Sequence, residues 1–295
     1  MNNQIYSNKG WKHVLWIIIP FIIKVTIFQS IGSIVAGFDI ANLPSQLTDQ
    51  QSLIITFFDL IGTVLLIWIF VKYIDKKDFI WLGFYNSYIL KDTIIGIVIG
   101  LVIMVIGGGI LIFNHQLSIK SVDFSVSGIL WATALFTCVA ISEELLIRGY
   151  VLNNLMTSFN KYVALVLSSA LFAVMHLLNP NIDILSILGL FVAGLLLGLC
   201  YVLTKNLWLP IALHFSWNFF QSLFGFNVSG QDFYSLIITS FQQGNEFNGG
   251  AFGFEGSALS IPFQVVAMVY IFTKFGRRVS DIEHTASIPD DNNDI

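Results

Sequence analysis

The chain has 295 residues, of which 56% are hydrophobic and 11% charged, with a mean hydropathy of +0.78. Ordinary soluble domains carry about 25% charged residues, so a soluble fold of this size would lack the polar surface to meet water. The same figures exclude disordered, collagenous and disulfide-scaffold classes, and a net charge of −4 without a basic run excludes a nucleic-acid partner.

What remains is an all-α polytopic membrane protein, with the lipid bilayer as its surroundings. A span takes about 20 mostly apolar residues. The first candidate, 14–35, follows Lys9 and Lys12; it is too long for a signal-peptide core and lacks a small-residue cleavage site, so it reads as an uncleaved span. Further spans follow at 53–71, 92–113, 128–147, 162–178, 184–203, 209–224 and 258–273, which makes eight transmembrane helices. With the N-terminus inside, twelve of the fourteen basic residues fall on the inner side, Lys120 falls outside, and Lys24 lies within the first span. This asymmetry predicts that the N- and C-termini are both cytoplasmic. Residues 1–278 form a single membrane domain, and 279–295 form an acidic, disordered tail containing Asp281, Glu283, Asp290, Asp291 and Asp294. The loop 225–256 has no Lys or Arg and interleaves glycines with Phe247, Phe252 and Phe254. It reads either as a segment dipping into the membrane interface or as a plain connector. Cys138 and Cys200 sit in apolar runs and read as packing thiols. No internal repeat suggests an inverted-repeat transporter.

An ionisable residue inside a span costs about 2.5 kcal/mol or more on insertion scales, so each needs a reason. Lys24 and Asp59 are single charges on the first two spans and are expected to pair. The dense set lies further on: Ser142-Glu143-Glu144, Arg148, Phe172, His176, His214 and Asn218. Residues four apart share a helix face. Glu144 therefore pairs with Arg148, while Glu143, rotated about 100° away, is left without that partner. Phe172 shares a face with His176, and His214 with Asn218. If the fourth helix ended at Ile147, Glu143 would lie at the membrane rim and His176 roughly 21 Å deeper. They meet only if this helix continues through Arg148 to about Ser158. Glu143, His176, His214 and Asn218 then converge between the midplane and the cytoplasmic side.

One carboxylate, two histidines and an amide suit hydrolysis of an amide bond. Glu143 takes a proton from water, His176 holds the same water, and His214 with Asn218 donates to the developing oxyanion. Ser142 as nucleophile, a polar seam joining helices, and zinc held by Glu143, His176 and His214 remain alternatives; there is no HExxH.

The three pieces Glu143-Glu144…Arg148, Phe172…His176 and His214…Asn218 resemble the EExxxR, FxxxH and HxxxN motifs of the CPBP family. That family comprises CAAX prenyl endopeptidases and bacteriocin-processing enzymes, and is also called the Abi family. The flanks Gly149-Tyr150 and Trp208…Pro210 agree, and the CPBP-like core covers 128–224. Residues 80–84 (IWLGF) and 253–257 (GFEGS) resemble flanking pieces more weakly. The resemblance implies an intramembrane glutamate-dependent endopeptidase with no cofactor and no metal. In it Glu143 and His176 activate water, His214 and Asn218 form the oxyanion hole, and Glu144, Arg148 and Phe172 support them. It implies a membrane-associated peptide or protein substrate, in peptide or bacteriocin maturation, self-immunity or CAAX-like processing, and other membrane-protein partners of unknown identity. A non-catalytic scaffold or immunity protein that keeps the fold is the alternative. The short loops and both-ends-in topology fit a small bacterial member in the plasma membrane.

Overall fold

A computed structural model describes residues 9–38, 47–241 and 243–285. The chain is mostly helical: α1 (Gly10–Val35), α2 (Asp49–Ile69, prolonged by a π-helical stretch Phe70–Asp75), α3 (Ile89–Phe113), α4 (Val126–Glu144), α5 (Asn153–Ser158), α6 (Lys161–Met175), α7 (Ile184–Thr204), α8 (Trp208–Leu223) and α9 (Ser260–Thr285). Helices dominate because they satisfy their own backbone groups, as lipid demands. Several starts are fixed by side chains that accept from the first free N–H groups. Thr48 and Gln51 form a capping box before α2, Asn160 caps α6, and Asp183 caps α7.

A π-helical stretch, Leu145–Leu152, joins α4 to α5, so the rod runs unbroken through Arg148 to Ser158. The eight expected spans correspond to eight rods, but five are long and apolar enough to cross a membrane: 10–35, 49–75, 89–113, 126–158 and 184–204. Of the others, α6 and α8 are shorter for physical reasons, and α9 is apolar only over Ser260–Gly276. α6 ends at Met175, five residues before Pro180, and α8 carries the buried polar residues His214, Ser216, Asn218, Gln221 and Ser222, so protein rather than lipid surrounds it. α9 continues to Thr285, into the stretch expected to be a disordered tail; residues 286–295 lie outside those described.

The chain is not purely helical either. β1 (Leu117–Val122) pairs antiparallel with β2 (Ile237–Phe241), Leu117 opposite Phe241 and Val122 opposite Ile237. Both strands belong to polar connections at one end of the bundle, where an extended backbone finds its partners in a second strand.

Hydrogen bonds fix which loops share an end. Trp11 donates to Ser158 (3.2 Å), His13 meets Asp75 (2.7 Å), and the Tyr201 hydroxyl donates to the Leu82 carbonyl (3.0 Å). These gather the N-terminus with the 75–88, 158 and 205 turns. At the other end Tyr234 accepts from the Ser125 N–H (2.9 Å) and its own N–H donates to Asp49 (3.1 Å). The loop 225–256 is thus not a free connector. It is tied down at Asp49 and Ser125, and its Phe252 and Phe254 are buried among the helices.

Two small-residue contacts place the helices of the site. α3 meets α8 through Gly96 and Gly100, and the Ser216 hydroxyl donates to the Gly96 carbonyl (3.0 Å). α1 meets α2 through Gly32 and Gly62. There Lys24 donates to both Asp59 oxygens (3.1 Å each) and to Thr63 (2.9 Å), the expected pair with a third member.

Candidate active site

Glu143 and Glu144 are the last residues of α4 before the π-helical stretch, and they point different ways. Glu144 is wholly buried. One of its oxygens, Oε1, accepts from Arg148 Nη1 at 2.7 Å and from His214 Nδ1 at 2.8 Å. Arg148, also wholly buried, donates through Nη2 to the Gly194 carbonyl of α7 (3.3 Å) and lies 4.4 Å above the Phe172 ring. Phe172 is the hub beneath these groups. Its ring centroid is 4.8 Å from that of His176 and 6.1 Å from that of His214, so one aromatic ring contacts the guanidinium and both imidazoles.

Glu143 projects into a cavity of about 420 Å³, with its side chain 25% exposed. Its Oε2 is buried without a hydrogen-bond partner among the described residues. It lies 3.8 Å from His176 Nε2 and 3.9 Å from His214 Nε2. His176 Nδ1 sits 2.8 Å from the Phe172 carbonyl, which can only accept, so Nδ1 carries a proton and, in the neutral tautomer this fixes, the lone pair is at Nε2. Asn218, one turn beyond His214, lines the same cavity. The structure therefore brings Glu143, His176, His214 and Asn218 together, with Glu144, Arg148 and Phe172 behind them. Ser142 also reaches the cavity, but its hydroxyl is held by Thr63 (2.8 Å) and Asp59 (3.2 Å) rather than by a histidine. Among the described residues no three of His, Cys, Asp and Glu are arranged to hold a metal ion.

Two features were not part of the expectation. First, the cavity reaches from the cluster toward the end that holds β1 and β2. Its walls reach Leu47 and Ser52 ahead of α2 and in its first turn, Asn179 after α6, and Gln231 and Phe233 of the 225–256 loop. α6 ends at Met175, while the rod begun by α4 runs on through the π-helical stretch and α5 to Ser158, so the room lies on the side where α6 has stopped. Second, a further carboxylate lines the cavity. Glu255 is 5% exposed, and one of its oxygens accepts from the Ser229 N–H (2.5 Å) and hydroxyl (2.9 Å). Burial holds its carboxyl above the usual carboxylate range. Its backbone packs so closely on α7 that a Cβ at Gly189 would collide with the Glu255 carbonyl. The signal in the sequence was faint: an acid between Gly253 and Gly256 in a loop with no periodicity. Asp59 was expected only to pair with Lys24, yet it too lines the cavity.

A mostly helical membrane protein with a glutamate, two histidines and an asparagine around an internal cavity is the class that this fold and site define. Residues 125–220, about a third of the chain, match the family model described as type II CAAX prenyl endopeptidase Rce1-like. The match holds all three motifs, in agreement with the resemblance to CPBP enzymes, and the family is one of CAAX-type membrane proteases. A search of curated proteins found no match.

Proposed function

We propose that the protein is a multi-pass membrane endopeptidase, with eight spans and both termini cytoplasmic, that hydrolyses a peptide bond inside the bilayer without a metal. The observation that carries this reading is the free, buried oxygen of Glu143 facing the two Nε2 atoms at 3.8 and 3.9 Å. One water molecule spans such a distance with hydrogen bonds of about 2.8 Å to each side. Glu143 takes a proton from that water as it attacks the carbonyl carbon, and His176 Nε2 accepts from the same water and aligns it. The negative charge then forms on the carbonyl oxygen, where His214 and Asn218 donate to it. For Nε2 of His214 to donate while Nδ1 binds Glu144, the ring must be an imidazolium, and the Glu144 carboxylate stabilises that charge. Arg148 balances the second negative charge so that Glu143 and Glu144 coexist one residue apart. The proton held by Glu143 passes to the leaving amine, which closes the cycle.

Substrates are membrane-associated peptides or proteins, and a cavity of about 420 Å³ suits a short extended segment. The test is peptidomics of cells carrying the native chain or Glu143→Gln. Gln keeps the shape and removes the base, so processed fragments should disappear. Unchanged fragments would instead identify a scaffold that keeps the fold without the chemistry. Chelation of the purified protein separates this mechanism from a zinc-dependent one: activity persists in the first case and is lost in the second.

A further inference from the structure

We infer that the polar cluster shared by α1 and α2 (Lys24, Asp59 and Thr63) positions the catalytic glutamate by holding its neighbour Ser142, so that the first two helices are part of the site. The word catalytic rests on the protease reading; the placement of Glu143 does not. Lys24, Asp59 and Thr63 all lie outside residues 125–220, the segment that matches the family model.

The hydroxyl of Ser142 is 2.8 Å from that of Thr63 and 3.2 Å from Asp59 Oδ2. Lys24 Nζ lies 2.9 Å from Thr63 Oγ1 and 3.1 Å from each Asp59 oxygen. Lys24, Thr63 and Ser142 are buried, so water does not compete for these bonds. One direction satisfies the whole ring: Lys24 donates to Asp59 and Thr63, Thr63 to Ser142, and Ser142 to the Asp59 carboxylate. Lys24, Asp59 and Thr63 suffice to join α1 to α2. The fourth member comes from α4, and it is the residue next to Glu143.

Glu143 needs such a hold. Its Oε2 takes no hydrogen bond among the described residues, so its distances of 3.8 and 3.9 Å from the two Nε2 atoms follow from the rotation of α4. The backbone ladder changes register at this point. α4 passes into the π-helical stretch, and the Leu145 N–H is shared between the Ile141 and Ser142 carbonyls. Side chains grip the turn on two sides instead: Ser142 is anchored to α2, and Glu144 to Arg148 and His214. Glu143 stands between them, about 100° from each. A side-chain tip lies about 5–6 Å from the helix axis, so a ~20° rotation moves the carboxylate by about 2 Å. A misplacement of ~1 Å can already slow a positioned reaction by about 100-fold.

The experiment compares Thr63→Val, Ser142→Ala and the double variant with the native full chain. Thr63→Val keeps the shape and removes the hydroxyl that joins Lys24 to Ser142. Ser142→Ala leaves the Lys24–Asp59 pair whole, so it carries the same readouts if Thr63→Val does not fold. The first readout is nitrogen NMR of the protein in lipid nanodiscs with isotope-labelled histidine, His176 and His214 being assigned from their Gln variants. Each single variant should move the Nε2 signals of His176 and His214 and leave those of His13 and His115 in place. The second readout is the yield of the fragments that Glu143→Gln abolishes in cells. That yield should fall about 10- to 100-fold in each single variant, no further in the double variant, and return to within about twofold of native in Thr63→Ser, which keeps the hydroxyl. Unmoved imidazole signals in a folded variant overturn the inference, whether or not the chain is a protease. Losses that multiply in the double variant overturn it too. So does a dead Ser142→Ala beside an unaffected Thr63→Val, the pattern of Ser142 acting as a nucleophile. Fragments unchanged by Glu143→Gln would strike the protease reading, and the imidazole signals would still decide the placement.

Discussion

Arg148→Met isolates the electrostatic support of the site. Met fills much of the space and removes the charge, leaving Glu144 wholly buried with His214 as its remaining partner. Charges about 4 Å apart interact by ~4 kcal/mol at an effective dielectric of about 20. Removing one member of a buried pair typically costs 3–5 kcal/mol. The contact with Phe172 adds about 1 kcal/mol, and the 3.3 Å bond to Gly194 adds little. The expected loss is therefore about 4 kcal/mol, measured by reversible unfolding in mixed detergent micelles. Glu144→Gln alone should cost a similar amount, because it strands Arg148. The double variant holds neither charge, so it should fall at least ~2 kcal/mol short of the sum of the two. If Arg148→Met costs under ~1 kcal/mol, or the two losses add, the pair does not carry the charge balance assigned to it.

Glu143→Gln should leave stability within about 0.5 kcal/mol by the same unfolding assay, since the Glu143 oxygen facing the histidines holds no hydrogen bond, while activity falls by about two orders of magnitude or more. Phe172→Ala should cost 3–5 kcal/mol and lower activity further than its stability explains, because both imidazoles lose their common wall. Gly189→Val should release the 253–257 turn from α7, read as faster protease nicking or hydrogen exchange between 225 and 256. Glu255 carries a pH signature. Its folded pKa lies above its unfolded value, so its contribution to stability is greatest at low pH and declines as pH rises from the ordinary carboxylate range to the raised one. Glu255→Gln should therefore melt at or above the native temperature at pH 8, with the difference closing near pH 4.

The helical part of the fold was legible because lipid imposes one rule on every spanning residue, and the exceptions stand out. Lys24 and Asp59 were each too costly to leave alone, and they pair. The continuation of the fourth helix through Arg148 was legible from depth alone, since Glu143 and His176 cannot otherwise meet. The π-helical stretch at Leu145–Leu152 was not, because a widened turn leaves no mark in a run that is apolar on all sides but for Arg148. Glu255 was hidden for a related reason. A buried carboxylate in an irregular loop has no period to betray it, and Phe252 and Phe254 look the same in sequence whether they face lipid or protein.

The ion pair between α1 and α2 bears on how the chain is made. α1 is the most lipid-exposed of the five long spans, with 17% of its apolar window buried, yet it carries Lys24 at mid-length. Emerging alone into a bilayer, it would hold an uncompensated cation at a cost of about 2.5–3.5 kcal/mol until Asp59 arrived. The order of synthesis therefore favours α1 waiting at the translocation channel and partitioning together with α2 as a single hairpin. The first commitment to the membrane is then made by two helices, already locked in register by the charge that neither can keep by itself.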